Sequence, residues 1–174
     1  MSGIQNGLIG SMTKKTYAIG DIGPSGVGKV IYDAGSVQSW GRYIEAAEPY
    51  TDAGQRVWSG QQFVSCGASG TAIGTGKSNT AAIIAQSNTA NCAATICTAF
   101  NGGGFTDWFL PSRDEMTQWY NQKSYFTSVN TGREYWTSSE TASDGGYAIY
   151  MVTGGIFVKG KSSGYLSRPM RYFS

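Results

Sequence analysis

Histidine is absent from the 174 residues, which removes the Ser-His-Asp triad, the Cys-His nucleophile pair and the commonest zinc ligand. Cysteine is scarce: Cys66, Cys92 and Cys97 are the whole complement, and no two of them stand in a C-x-x-C spacing. A structural zinc site is therefore not expected. The thiols are left with two readings, one disulfide in any of the three pairings plus a free thiol, or three buried thiols. Charge is thin, with 14% of residues charged and a formal net charge of +2. A field that holds nucleic acid by itself is not indicated, and any electrostatic site must be local. No apolar run approaches the roughly 18 residues that cross a bilayer, so membrane insertion is not expected. Residues 1–15 lack both the leading basic region and the continuous apolar stretch of a secretory signal. Either a signal has been removed, or the protein reaches an exterior site without secretion, as a phage virion protein assembled inside its host would.

What is abundant is glycine, at 25 residues, and aromatic side chains, at 13%. With many Ser, Thr and Asn, this describes a loop-rich α+β domain pinned by aromatic anchors. The length fits one domain, residues 16–174, preceded by a small, uncharged and mildly apolar segment, residues 1–15, read as a docking arm. Residues 16–22 and 27–32 read as strands split by Gly23-Pro24-Ser25-Gly26. From 34 to 75 periodicity is lost, and Trp40, Tyr43, Tyr50 and Trp58 suggest a self-packed loop region. Ser78 or Asn79 caps a helix over 80–86, and Ala93, Ile96, Cys97 and Phe100 mark a second, stopped by Gly102-Gly103-Gly104. Ser112 and Glu115 form a capping box with Met116, Trp119 and Tyr120 on one face behind it.

The last forty residues read as strands. Residues 147–153 and 156–161 flank Gly154-Gly155 as a two-residue hairpin. That register sets Met151 against Val158 and Ile149 against Gly160 on a core face, leaving Tyr150 across from Lys159 in solvent, with Phe157 and Lys161 adjacent. A final strand over 167–173 closes the sheet.

Two glycine-rich stretches invite a nucleotide reading. Gly23-Pro24-Ser25-Gly26-Val27-Gly28-Lys29-Val30 misses the phosphate-binding loop at Val30, where a hydroxyl would meet magnesium, and strand chemistry follows it where a helix is required. Gly74-Thr75-Gly76-Lys77-Ser78 precedes a helix, but Thr71 occupies the first glycine position; a structural turn is expected. The carboxylates Asp107, Asp114, Glu115, Glu134, Glu140 and Asp144 raise a glycosidase-type acid pair, for which two carboxylates alone are weak evidence. With Arg113, Arg168 and Arg171 available, internal ion pairs joining the helix to the final strand are the stronger expectation.

Three blocks in order carry a resemblance: Asp107-Trp108-Phe109-Leu110-Pro111-Ser112-Arg113-Asp114-Glu115-Met116, then Tyr135-Trp136-Thr137-Ser138-Ser139-Glu140, then Arg168-Pro169-Met170-Arg171. Together the chain resembles, over residues 17–173, the C-terminal domain family of the Legionella collagen-like protein, with its DWxLPSxxEL, YWSSSE and RxVR pattern. The resemblance implies a C-type-lectin-like fold, a mostly antiparallel twisted sheet with two or three short helices and long loops. It implies glycan and surface binding without catalysis, and a trimeric homo-oligomer. Within it Asp107, Ser112, Glu115, Glu140, Arg168 and Arg171 take structural roles. The Glu-Pro-Asn and Trp-Asn-Asp patterns of calcium-dependent lectins are missing, so neither a metal nor a cofactor is expected. Formylglycine-generating enzymes share a related fold but need a late cysteine pair, and all three cysteines here precede Phe100.

The resulting expectation is a non-enzymatic recognition module on a virion surface (fibre, tail or capsid-decorating), attached to a virion or fibre protein through residues 1–15. Its ligand is a host-surface or anionic glycan, met by Tyr150, Phe157, Lys159, Lys161 and Tyr165. Two alternatives stand beside it: a structural virion cement protein without ligand, and a secreted or cell-surface bacterial adhesin domain for sulfated glycans.

Overall fold

A computed structural model describes residues 15–48, 54–87 and 90–174. The proposed docking arm, save Lys15, lies outside the described residues. The fold is mixed α+β, with two small antiparallel sheets and three helices. Strands β1 (Gly28–Gln38), β2 (Gly41–Ala47) and β6 (Met170–Phe173) form one sheet in the order β1-β2-β6. Strands β3 (Glu134–Ala142), β4 (Gly145–Tyr150) and β5 (Gly155–Gly160) form the other in the order β3-β4-β5.

Several elements differ from the sequence reading. Residues 16–22 form no strand beyond a single bridge from Ile22 to Lys29. The region read as a loop from 34 contains the end of β1 and all of β2, whose residues are almost entirely buried. The final strand joins β2, with Glu45 opposite Arg171, and so does not close the hairpin sheet. The preceding segment links the sheets: Trp136 N–H donates to the Leu166 carbonyl at 2.8 Å, and Phe109 and Met170 exchange backbone bonds at 2.8 and 3.0 Å.

The hairpin register is also different. Tyr150 lies opposite Gly155, Ala148 opposite Phe157 and Gly146 opposite Lys159, so the connection runs through residues 151–154 in place of two glycines. Alternation misled because β3 and β4 are buried on both faces, and a strand packed on both sides offers no polar face from which to read register. Tyr135, Ile149 and Met151 enter one core cluster with Phe109, Met116 and Trp119. Trp136 and Ala148, on the other face, enter a second with Trp58, Leu110 and Cys97. Val158, assigned above to the core, is 61% exposed on the edge strand.

Helix α1 (Gly76–Ser87) begins earlier than its local capping residues suggest. The Gly74 and Gly76 N–H groups donate to Glu115 Oε1 at 2.8 and 3.4 Å, so a remote carboxylate caps this helix. Asn79 instead clasps the Gly70 backbone through both ends of its amide. Helix α2 (Ala93–Ala99) stops before Gly102–Gly104, as its glycines require. Helix α3 (Arg113–Asn121) has the expected capping box, with Ser112 N–H donating to Glu115 Oε2 at 2.8 Å and Glu115 N–H donating to Ser112 Oγ at 3.4 Å. Met116 and Trp119 are buried and Tyr120 is half-buried, which is the face its spacing predicted.

Candidate functional site

The charged residues of the three motif blocks are mostly consumed inside the molecule. Arg171 forks between two carboxylates, meeting Asp107 at 2.8 and 3.1 Å and Glu45 at 2.6 Å. Burial works against this guanidinium, but its bonds to Asp107 and Glu45 raise its pKa further. Arg168 donates to the Ala47 carbonyl at 2.9 Å and to Ser128 Oγ at 3.0 Å, with its guanidinium 4.7 Å from the Trp119 ring centre. The ion pair expected between the helix and the final strand does not form at Glu115, which meets N–H groups and a tyrosine instead. Burial pushes this carboxyl above its ordinary range, against the donors from Tyr172, Ser112, Gly74 and Gly76.

Glu140 likewise pairs with a lysine. It meets Lys161 Nζ at 2.5 Å and accepts from Ser65 Oγ at 2.7 Å, Cys66 N–H at 3.0 Å and Gly67 N–H at 3.1 Å. Burial opposes its ionisation, but these donors win and hold the carboxyl below its usual range. Lys161, expected on the exposed face, is 1% exposed and lies 4.8 Å from the Trp58 ring centre. Because β5 ends at Gly160, Lys161 turns beneath the 59–67 loop and donates to the Val64 carbonyl at 3.0 Å. It is a loop anchor and is withdrawn from the ligand-contact set.

The other four proposed contact residues gather near one sheet edge. Glu134, Tyr150, Phe157 and Lys159 occupy the same face by register. Lys159 Nζ lies 5.4 Å from the Phe157 ring centre and 5.5 Å from that of Tyr165. Tyr165 packs edge-on to Trp136 at 4.9 Å, which fixes its ring on the buried sheet. Phe157 is 46% exposed, whereas Tyr150 and Tyr165 are half-buried. Sequence reasoning weighed Glu134 as a candidate acid and missed its place in this patch, where its carboxylate meets Lys159 at 2.7 Å and raises the pKa of that ammonium. The patch is thus two aromatic platforms with a neutralised ion pair, in place of a cationic surface.

Two hollows flank α1 and share Lys77 and Ala81. One, of about 420 Å³, runs between Ile84 and Ala85 of α1, Thr98 of α2, and Trp108 and Phe109. Its neighbour, of about 460 Å³, is bounded by Trp40, Tyr172, Gly74 and Ser78. Trp40 stacks obliquely on Tyr172 at 5.0 Å. The sequence offered Trp40 as a loop anchor and Lys77 within a glycine-rich turn; their meeting along α1 depends on β2 and β6, which place Tyr172 beside them.

The first near-phosphate loop is built around a carboxylate. Ser25 Oγ donates to Glu45 Oε2 at 2.8 Å, and a side chain on Gly23 would begin 2.0 Å from that same oxygen. Gly28 starts a strand, as its sequence suggested, so no helix N-terminus faces the loop. Among the described residues no three His, Cys, Asp or Glu side chains gather as a metal site, and no helix is long and apolar enough to cross a membrane. All three cysteines are free thiols, and burial pushes the Cys97 thiol up to about 12. The chain matches no known protein-family model and no curated protein.

Proposed function

We propose that this chain is a non-enzymatic surface-recognition module with a C-type-lectin-like fold, carried on a phage virion and binding host-surface glycans. The observation that carries the reading is Lys159 set between the Phe157 and Tyr165 rings and paired with Glu134 on an exposed sheet edge. Aromatic rings take the apolar faces of sugars, and an ammonium–carboxylate pair offers both donors and acceptors to ring hydroxyls. With Lys159 neutralised by Glu134 and Lys161 buried against Glu140, neutral sugars suit this patch better than the sulfated ones first expected.

The non-enzymatic part rests on the carboxylates. Asp107 and Glu140 are ion-paired within the fold, Glu115 is fully buried, and Asp114 and Glu134 pair with Arg113 and Lys159; of the six, Asp144 alone is exposed without an ion pair among the described residues, and a single carboxyl is not an acid pair. A general acid needs a carboxyl that reaches substrate.

Binding of neutral and sulfated polysaccharides to the wild type and to a folded Phe157→Ala, Tyr165→Ala double variant tests the proposal. Saturable binding of a neutral polysaccharide that the double variant loses supports it; equal binding by both proteins overturns the assignment. The structural cement reading draws on the apolar edge strand, where Ile156, Phe157 and Val158 are all exposed. Absence of any glycan ligand together with tight binding to a capsid or tail subunit would favour it.

A further inference from the structure

We infer that the hollow between α1, α2 and the 106–109 segment is a second binding site, independent of the sheet-edge patch, for a small amphipathic carboxylate. Its volume of about 420 Å³ lies within the range of small-molecule sites. Ile84, Ala85, Trp108 and Phe109 give it apolar walls. The polar groups at those walls are largely spoken for: the Thr80 hydroxyl lies between the Gly76 and Leu110 carbonyls at 2.8 and 2.9 Å, that of Thr98 between the Ala94 and Thr95 carbonyls at 3.3 and 3.1 Å, each with one proton for the pair, and Asp107 is held by Arg171. Such walls offer an apolar chain a dry surface and offer a sugar few hydrogen-bond partners.

Lys77 sets the sign of the ligand. Its side chain is exposed, lines both hollows, and makes no ion pair or hydrogen bond among the described residues. The α1 N-terminus beside it does not need an external anion, because Glu115 already takes the Gly74 and Gly76 N–H groups. Lys77 is thus the cation among the residues lining this hollow, without a protein partner among the described residues, and a carboxylate at the rim with its chain against Ile84 and Trp108 would pair with it. Asp107, on the 106–109 wall, disfavours a second negative charge at the far end of the ligand and disfavours a dicarboxylate relative to a monocarboxylate.

Calorimetric titration of the full chain with decanoate, decanol and decyltrimethylammonium tests this. Decanoate is expected to bind saturably and more tightly than the cationic analogue. Lys77→Met, which keeps the apolar stem, should weaken decanoate by about three- to fivefold, the size of an exposed charge pair, while leaving decanol unchanged. Ala85→Trp fills the hollow from an exposed helix position and should abolish decanoate binding while thermal unfolding stays cooperative. Tyr165→Ala should leave decanoate binding intact, which separates this site from the glycan patch. No saturable decanoate binding, equal affinity for the cationic analogue, or unchanged binding by Ala85→Trp would each overturn the inference.

Discussion

The Tyr172 hydroxyl donates to the Glu115 carboxylate, tying the last strand to the first turn of α3 inside the core. The same carboxylate accepts from Ser112, Gly74 and Gly76, so one side chain caps two helices. Glu115→Ala would leave these donors buried and unsatisfied, at a cost of about 3 kcal/mol or more. Tyr172→Phe removes a single donor and should cost about 1–2 kcal/mol. Chemical denaturation of both variants checks the order; an unchanged midpoint for Glu115→Ala would show that the shared cap is not formed.

Helix α3 was legible in the sequence because everything that specifies it is local: Ser112, Glu115, Met116 and Trp119 lie within two turns. Strand β2 was not. Glu45 looks like a loop residue until Arg171, 126 positions away, neutralises it in the core. The start of α1 was hidden for the same reason, since its cap comes from Glu115. The aromatic and lysine composition of the sheet-edge patch was readable, but its charge was not, because Glu134 and Glu140 cancel lysines that the sequence presents as free.

Glu140 and Glu48 should dominate acid denaturation. Burial raises the pKa of each carboxyl, but Lys161, Ser65 and Cys66 around Glu140, and Thr127, Ser128 and Arg168 around Glu48, bring both below their ordinary value. A lowered folded-state pKa gives stability that is present above the unfolded value near 4.5 and is lost as pH falls through the folded value. Glu115 has the opposite sign, since its raised pKa favours the fold at low pH and opposes it as pH rises through the folded value. Melting temperature should therefore fall below about pH 4.5, and Glu140→Gln should flatten that limb while lowering stability at neutral pH. A limb of the same slope in the variant would remove Glu140 from the account.

The glycine-rich loop at 23–28 should not bind nucleotide. Its interior is filled by the Glu45 carboxylate, which leaves a phosphate no room. Calorimetry with ATP and magnesium is expected to show no saturable heat, and Lys29→Ala should change nothing. Gly23→Ala should destabilise the domain by about 1–3 kcal/mol, because the new methyl would press on Glu45. Micromolar ATP binding lost in Lys29→Ala would reverse this reading.

The cysteines should be nearly silent under native conditions. Cys92 and Cys97 are buried, and burial raises the Cys66 and Cys97 thiols, so little reactive thiolate is present near neutral pH. A disulfide-exchange reagent should titrate all three only after denaturation, with half-buried Cys66 the first to respond. Rapid native reaction of Cys97 would mean that α2 opens readily.

Salt should separate the sheet-edge patch from a cationic glycan site. A surface that recruits sulfate through free lysines loses affinity steeply as ions screen it. Here Lys159 is held by Glu134 at 2.7 Å and Lys161 is buried against Glu140, so neither charge projects far into solvent. Recognition through Phe157 and Tyr165 depends on apolar contact and short-range hydrogen bonds. Binding of a neutral polysaccharide measured at about 0.05 M and about 0.5 M salt should therefore change by less than about twofold. Glu134→Gln frees Lys159 and should convert the same patch into a salt-sensitive site that gains affinity for sulfated polysaccharide. Steep salt dependence in the wild type, or no gain for sulfated ligand in Glu134→Gln, would show that the Lys159–Glu134 pair does not set the charge of this surface.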